Sequence, residues 1–207
     1  MTAEALTYDS LVTDIQTYAE RSDQPFVDQI PRFIMLAENR IASEIHGLGF
    51  VRVVDSSLTS SDNILAKPER WRETKSIFLK TSGEFLYPRT AEYCQAFAAQ
   101  AAHNIPRYYA DYDYEHFILA PIPSTSLTFT LRYHERPEPL SSANQSNWTT
   151  QYAPQLLLYA SLLEAQPFLK LPERIQEFQA LFDRAASALS NEDSRRMEDS
   201  ASNGSKK

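Results

Sequence analysis

The strongest constraint on the fold comes from residues 152–197, which have the pattern of two amphipathic helices separated by a break. Apolar residues recur at three- and four-residue steps on both sides of the break, as in helices with one buried stripe. Pro167 removes a backbone donor and restricts the residue before it, whereas Pro172 suits the first position of a new helix. We therefore predict a first helix that ends or kinks near Pro167 and a second helix that starts at Pro172.

The second of these helices is predicted to be long. No Gly or Pro occurs between Glu173 and Asn203. Its apolar face comprises Ile175, Phe178, Leu181, Phe182, Ala185 and Leu189. A helix over residues 172–197 would measure about 39 Å at a rise of 1.5 Å per residue. This length exceeds what a compact domain of this size requires.

The composition indicates a globular chain with an acidic balance. The 207 residues are 43% hydrophobic, enough for the core of one domain or two small ones. A net charge of −7 argues against binding to nucleic acid through its phosphates, although an acidic surface would let DNA pass. The single cysteine, Cys94, excludes an intramolecular disulfide and a cysteine-based zinc site. No apolar run could span a bilayer and residues 1–5 lack a secretion signal, so we expect a protein without a membrane segment, made in a reducing compartment.

The remaining pattern predicts helices at the start of the chain and strands in its middle. Residues 7–21 and 26–45 have helical spacing, with Thr7 as an N-cap and Pro31 in the opening turn of the second helix. After Gly47 and Gly49 the spacing changes to two residues. Strands are expected near residues 51–58, 77–79, 85–87, 106–114, 116–119 and 127–133, with a hairpin turn at residues 82–83. A short helix over residues 90–100 would direct Tyr93, Cys94 and Phe97 inward.

Helices at both ends and strands between them predict an α+β fold. We expect the N- and C-terminal helices to pack as a helical bundle, with an inserted antiparallel β domain and a long C-terminal helix. The predicted boundaries are residues 1–48 for an N-terminal helical hairpin, 49–147 for the β domain with one short helix, and 148–198 for the C-terminal helices. Residues 199–207 lack large apolar side chains and are predicted to be a disordered tail.

The densest polar cluster consists of Asp111, Asp113, Glu115 and His116. One hypothesis is an enzyme that uses Asp111, Asp113 and His116, and another is an oxygen-rich face that binds calcium. The glycine of a calcium loop is missing, however, and no nucleophile elbow, phosphate-binding loop, dinucleotide fingerprint or metal-ligand histidine pair occurs. A solvated strand face is the favoured interpretation. We predict no catalytic residue, no metal site and no cofactor.

Two further groups of residues suggest binding. Tyr108, Tyr109, Tyr112 and Tyr114 could form a surface for carbohydrate, peptide or stacked bases on the β domain, although packing in a core or an interface is favoured. A modest basic patch consists of Lys67, Arg70 and Arg72 around Trp71. This patch could contact DNA or an acidic partner, and a solvated turn is the simpler explanation.

Several short motifs occur in an order that resembles a known family. In chain order they are Tyr8-x-x-Leu11, Phe33-Ile34-x-x-Ala37-Glu38-x-Arg40-Ile41, Pro68-Glu69-Arg70-Trp71, Pro106-x-Tyr108-Tyr109, Leu119-x-Pro121-x-Pro123, Leu131-x-Tyr133, Leu157-Leu158-Tyr159-Ala160 and Glu164-Ala165-x-Pro167-Phe168-Leu169-Lys170. Over residues 7–195 this order resembles the tailed-phage head-to-tail adaptor, or connector, family, which includes the podovirus tail tubular protein A.

The resemblance implies a non-enzymatic structural protein of the virion, made in the cytoplasm of the host bacterium and located in the neck or tail region. It implies a homo-oligomeric ring of twelve copies below the portal protein, which continues the DNA channel and attaches the tail nozzle or tail tube. Double-stranded DNA would pass through the ring without sequence-specific binding. The alternative function is a β-domain ligand-binding module, for carbohydrate or peptide, without catalysis.

The resemblance also directs the C-terminal helix toward the portal. The residues predicted to dock on the portal are Phe182, Leu189, Glu192, Asp193, Arg195, Arg196 and Met197. The residues predicted to contact the tail partner or the channel are Lys67, Arg70, Trp71 and Arg72.

Overall fold

In the computed structural model the chain forms two compact units, one from its middle and one from its two ends. The structure describes residues 5–100 and 104–204, and the side chains of residues 5–99 and 104–196. The helical unit comprises the chain up to Phe50 and from Pro137 onward, and the β unit is Val51–Arg136. Residues 137–147, which the sequence analysis assigned to the β domain, belong to the helical unit. The physical reason is that Leu140 is buried in the helical core.

The elements follow one another along the chain with short connections. The first helices are α1 (Tyr8–Ala19), α2 (Gln24–Val27) and α3 (Ile30–Glu44), followed by a 3-10 turn (Leu48–Phe50). The β unit contains β1 (Val51–Leu58), β2 (Ile64–Ala66), β3 (Trp71–Leu79), β4 (Glu84–Phe85), β5 (Tyr87–Pro88), α4 (Ala91–Gln100), β6 (Tyr108–Asp111), β7 (His116–Ala120) and β8 (Leu127–Glu135). The chain then forms α5 (Trp148–Tyr152), α6 (Pro154–Leu169) and α7 (Glu173–Gly204).

The N-terminal helices begin where their capping residues predict. The Thr7 hydroxyl accepts a hydrogen bond from the Ser10 amide at 3.2 Å, and the Ser10 hydroxyl accepts one from the Thr7 amide at 2.8 Å. This reciprocal pair satisfies two amides at the start of α1. Pro31 lies in the first turn of α3, where its missing N–H leaves no intrahelical bond unmade. Both predictions are confirmed.

Helix α6 forms the centre of the helical unit. It contacts α1, α3, α5 and α7. The sequence predicted a single buried stripe for this helix, but its buried residues include the consecutive run Ala160, Ser161, Leu162 and Leu163. A helix that is buried all round lies inside its domain rather than on its surface. The flanking helices contribute Leu11, Ile15, Phe33, Ile41 and Phe182 to the same core, which confirms the predicted bundle.

The break between α6 and α7 occurs slightly later than predicted. Helix α6 continues through Pro167 to Leu169 and ends at Lys170, whose φ of 57° is left-handed. Pro172 directly precedes α7, which starts at Glu173. Because no Pro or Gly interrupts it, α7 extends over 32 residues, about 48 Å, as far as Gly204. Residues 199–204 are therefore helical rather than disordered, and residues 205–207 lie outside the described part of the chain.

The β unit contains two four-stranded sheets. Their strand orders are β1-β8-β3-β4 and β2-β7-β6-β5. All pairs are antiparallel except β5 with β6, which is parallel. One core, which includes Ile77, Leu119 and Phe129, contains residues of both sheets. The antiparallel β domain is therefore confirmed in its main features.

The short helix α4 packs on β6 and β7 through Cys94, which is fully buried. Tyr93 was predicted to point inward, but it is 41% exposed. Its ring stacks on Phe97 and meets Tyr108 edge-on, at the rim of this small core. Within the described residues, no helix is both long enough and apolar enough to cross a membrane.

Candidate assembly surfaces

The apolar residues of α7 that were predicted to dock on the portal lie in the core of the helical unit. Phe182 is 1% exposed and Leu189 is 9% exposed. Both belong to the same core as α6. They therefore stabilise the helix against its own unit and leave an outside partner little surface to contact.

Asp193 attaches α7 to the end of the N-terminal segment. Its Oδ2 accepts a hydrogen bond from the Leu48 amide at 2.9 Å, and the side chain is buried. A Cβ atom at Gly47 would lie 2.5 Å from that oxygen, so any larger residue there would displace the Asp193 carboxylate. Of the side chains that the structure describes, Asp193 is the last buried one on α7. The contact is the last one on α7 that involves a buried, described side chain.

Three further residues of the predicted portal-docking set, Glu192, Arg195 and Arg196, are exposed. Glu192 forms an ion pair with Arg196 one turn later, and Arg195 is also exposed. Met197 lies within α7, and its side chain is outside the described residues. Beyond Asp193 the helix continues for another 11 residues to Gly204, about 16 Å. This end of α7 carries Arg195 and Arg196, and Glu192 directly precedes it.

The basic patch of the β unit is less available than the sequence suggested. The Lys67 side chain is only 4% exposed, and its Nζ lies 2.8 Å from the Asp111 carboxylate and 2.7 Å from the Asp113 carbonyl. The ammonium also lies over the Trp71 ring, 4.0 Å from its centroid, and 4.9 Å from that of Phe117. Lys67 is thus held by two oxygens and two aromatic faces, and it joins the β2–β3 turn to the β6–β7 turn.

Arg70 and Trp71 of the patch line an open groove, whereas Arg72 is not among its lining residues. Glu135 accepts one hydrogen bond or ion pair from Arg70 and another from Arg52, each at 3.0 Å. Burial lowers the pKa of Arg72, an effect that Glu73 opposes and Arg136 reinforces. The groove has a volume of about 530 Å³ and is lined by Lys67, Arg70, Trp71, Tyr114, His116 and Arg136. Arginine and tyrosine side chains are frequent at protein interfaces, so this groove is the better candidate for a contact surface.

The acidic cluster that suggested an enzyme organises the β6–β7 turn. The Asp113 Oδ1 accepts from the amides of Glu115 and His116 at 2.7 Å and lies 3.0 Å from the His116 ring nitrogen. Asp111 pairs with Lys67. In the part of the chain that the structure describes, no three His, Cys, Asp or Glu side chains are grouped closely enough to bind a metal ion. Tyr112 and Tyr114 are exposed on this turn, 45% and 73% respectively.

Glu38 on α3 binds the segment that follows the β unit, residues 137–147, through hydrogen bonds. Its carboxylate accepts from the Leu140 amide at 3.2 Å and from the Asn147 side chain at 2.9 Å. Burial raises the pKa of Glu38 to about 7, although both hydrogen bonds oppose the shift. Nothing in the local sequence indicated this role, because the partners lie 102 and 109 residues away.

A protein-family model described as SU10 adaptor protein matches residues 6–205, a range that includes both units. The chain belongs to the SU10 adaptor protein family. This is a phage head-to-tail adaptor family, so the resemblance drawn from the short motifs is confirmed and the chain is a phage adaptor and a virion component. Adaptors of this family are structural proteins. No curated protein matches the chain.

Proposed function

We propose that this SU10-family adaptor forms a closed ring of twelve copies beneath the portal of a tailed phage. The ring continues the DNA channel of the portal and attaches the tail nozzle or tail tube below it. The chain is made in the host cytoplasm and resides in the neck of the virion. Family membership supports this proposal over a ligand-binding module, which gains no support from any separate observation.

The length of α7 beyond its last described buried residue, Asp193, is the single observation that carries the proposal. Helix α7 contributes buried residues to its own unit as far as Asp193 and then continues for about 16 Å. The described side chains beyond Asp193, those of residues 194–196, are exposed, and a helical end that packs on nothing is marginal in water. A partner that packs against Glu192, Arg195, Arg196 and Met197 would supply those contacts. We propose that this partner is the portal.

The distribution of charge supports passage of DNA along the helical unit. Residues 51–136 contain ten Lys and Arg and ten Asp and Glu, so the whole net charge of −7 lies on the helical unit. A channel wall of this sign repels phosphates and gives no sequence-specific grip. We propose that the helical unit lines the channel and that Arg70, Trp71 and Arg72 of the neutral β unit face the tail.

Two truncations test the role of α7. Removal of residues 194–207 preserves Asp193 and every described core residue, so the thermal midpoint should stay close to that of the full chain while binding to the portal ring is lost. Removal of residues 190–207 also deletes the Asp193 contact and should lower the midpoint further. Normal portal binding by the first truncation would contradict the proposal. The double change Arg195→Ala with Arg196→Ala should weaken binding without changing the fold.

A further inference from the structure

Strand β1 is a long, unprotected edge of its sheet. Its eight residues pair with β8 on one side only, and six consecutive side chains, residues 52–57, are exposed. The other edge strands, β2, β4 and β5, have only three, two and two residues. Long edges with free backbone groups are templates for added strands, and proteins normally shorten or cover them. Among the described residues, no strand pairs with the outer side of β1.

The hydrogen-bond register shows which backbone groups of β1 face outward. The Lys80 amide of the β3 end donates to the Thr128 carbonyl, so the backbone groups of Thr128 face β3. Successive residues of a strand alternate, and the backbone groups of Phe129 therefore face β1, where Phe129 pairs with Ser56. The backbone groups of Arg52, Val54 and Ser56 therefore form the hydrogen bonds with β8. By the same alternation Val53, Asp55 and Ser57 present their N–H and C=O groups to the open side.

The side chains of β1 do not protect this edge. Val53 is 63% exposed and Val54 is 37% exposed, and they lie on opposite faces of the sheet. The two charged residues, Arg52 and Asp55, are already engaged with Glu135 and Lys80. A lysine or proline directed at an incoming strand, the usual protection, is absent from residues 51–58.

We propose that the β1 edge binds an extended segment of the tail-side protein, which adds to the sheet as a fifth strand; this inference rests on the adaptor function proposed above. Backbone groups of Val53, Asp55 and Ser57 supply the hydrogen bonds, and β-branched or aromatic residues of the segment pack beside Val53 and Val54.

A second copy of the chain does not fit this edge. Two β1 strands would pair around a two-fold axis and close into a dimer, whereas a ring requires a different surface on each side of every subunit. The short edges β2, β4 and β5 cannot match eight residues, and the part of β3 that β4 leaves unpaired is interrupted by two bulges between Trp71 and Ser76. The tail-side protein is favoured because Glu135 links Arg52 at the start of β1 to Arg70 of the groove, so the edge and the groove are contiguous.

Proline substitutions separate the outer edge from the internal ladder. Val53→Pro removes an outward amide and places a ring where the added strand would lie, so binding of the nozzle protein of the same phage to the adaptor–portal complex should weaken by about ten-fold or more. Val53→Ala, which keeps the amide, should retain most of the affinity. Val54→Pro removes an inward ladder bond and should lower the thermal midpoint instead.

Amide exchange gives a second measurement that needs no variant. In the free chain the amides of Val53, Asp55 and Ser57 should exchange fast, and those of Val54 and Ser56 should exchange slowly. Binding of the nozzle protein should slow exchange at Val53, Asp55 and Ser57.

Each outcome separates this inference from the adaptor function. Unchanged nozzle affinity of Val53→Pro, or unchanged exchange at Val53, Asp55 and Ser57, overturns the strand addition. If Val53→Pro blocks ring formation on the portal instead, the edge belongs to a contact between copies and the tail-side assignment is wrong. If wild-type chain joins the portal but binds no nozzle protein, this inference fails and the portal-docking role stands. Absence of binding to both would overturn the proposed function itself.

Discussion

A single methyl group at Gly49 should strongly destabilise the helical unit. Gly49 lies in the 3-10 turn before β1, and the Trp148 ring packs directly on its backbone. A Cβ atom there would lie 2.0 Å from Cζ2 and 2.1 Å from Cε2 of the indole. Carbon atoms in contact are separated by about 3.5–4.0 Å, so the ring or the turn must move by roughly 1.5 Å.

The surroundings of Trp148 make that movement costly. Its ring packs 4.8 Å from Phe50 and 5.7 Å from Tyr152, and its backbone starts α5 directly after the capping residue Asn147. Overpacking in cores costs about 1–3 kcal/mol, and a displacement of this size belongs at the upper end. Gly49→Ala should therefore cost about 3 kcal/mol, which corresponds to roughly 6–12 °C in the thermal midpoint of a chain of this length.

A double-mutant cycle tests whether the indole is the cause. Far-UV circular dichroism would follow thermal and urea unfolding of Gly49→Ala, Trp148→Leu and the combination. With the smaller side chain the penalty for Gly49→Ala should fall below about 1 kcal/mol, a coupling of about 2 kcal/mol. Gly83→Ala is the matched control: its φ is +72° with open space around it, so only about 1 kcal/mol of backbone strain is expected. Equal penalties with Trp148 and with leucine would refute the steric argument.

Three further perturbations have expected outcomes. Burial raises the pKa of Glu38 from 4.5 to about 7, so the folded chain holds the proton more tightly and its stability falls as pH rises from about 4.5 to about 7. Glu38→Gln should therefore raise the free energy of unfolding, measured with urea, by about 3 kcal/mol at pH 8 with little change at pH 4.5, because a pKa shift of one unit corresponds to about 1.4 kcal/mol; equal differences at both pH values would contradict this. Asp193→Ala leaves the Leu48 amide without its acceptor and should cost about 1–2 kcal/mol, measured by thermal unfolding, whereas no loss would show that the contact is not formed. Lys67→Met keeps the length of the side chain but loses the contacts of its ammonium with Asp111 and the aromatic rings. Because the Asp111 carboxylate is well exposed, we expect a loss of about 2 kcal/mol in the free energy of unfolding. The fluorescence of Trp71, in a chain that also carries Trp148→Phe, would follow this unfolding. An unchanged midpoint there would mean that the buried ammonium contributes nothing.

Local signals predicted the secondary structure well. Thr7 followed by Ser10 forms the cap of α1, and Pro31 starts α3, because capping and proline geometry depend only on neighbouring residues. The uninterrupted run after Glu173 predicted a long α7 for the same reason. The prediction of a disordered tail from residue 199 is wrong as far as Gly204, because low hydrophobicity alone does not end a helix and nothing in the run breaks one.

The sequence could not predict which polar side chains are buried or which residues they contact, since both depend on residues far away in the chain. Asp193 was predicted to lie on a docking surface, but it accepts a hydrogen bond from Leu48, 145 residues earlier, beside Gly47. Lys67 was assigned to an exposed patch, but the β6–β7 turn brings oxygens to its ammonium from more than 40 residues away. A periodic pattern identifies a buried face and cannot identify what buries it.

The parallel pairing of β5 with β6 had no signal in the sequence either. Both strands are short, and their pairing follows from α4, which connects them and packs on the same sheet. A crossover of this kind permits parallel neighbours, whereas a tight turn does not. The exposed state of β1 was equally hidden, because edge and central strands differ only in their tertiary neighbours.

The adaptor role itself is tested most directly by mixing the purified chain with the portal ring of the same phage. Mass from light scattering and images from electron microscopy would give the number of adaptor copies on each portal. We predict one closed ring of twelve copies, one for each portal subunit, with α7 directed at the portal. A chain that remains free beside an intact portal at high concentrations of both would contradict the central claim.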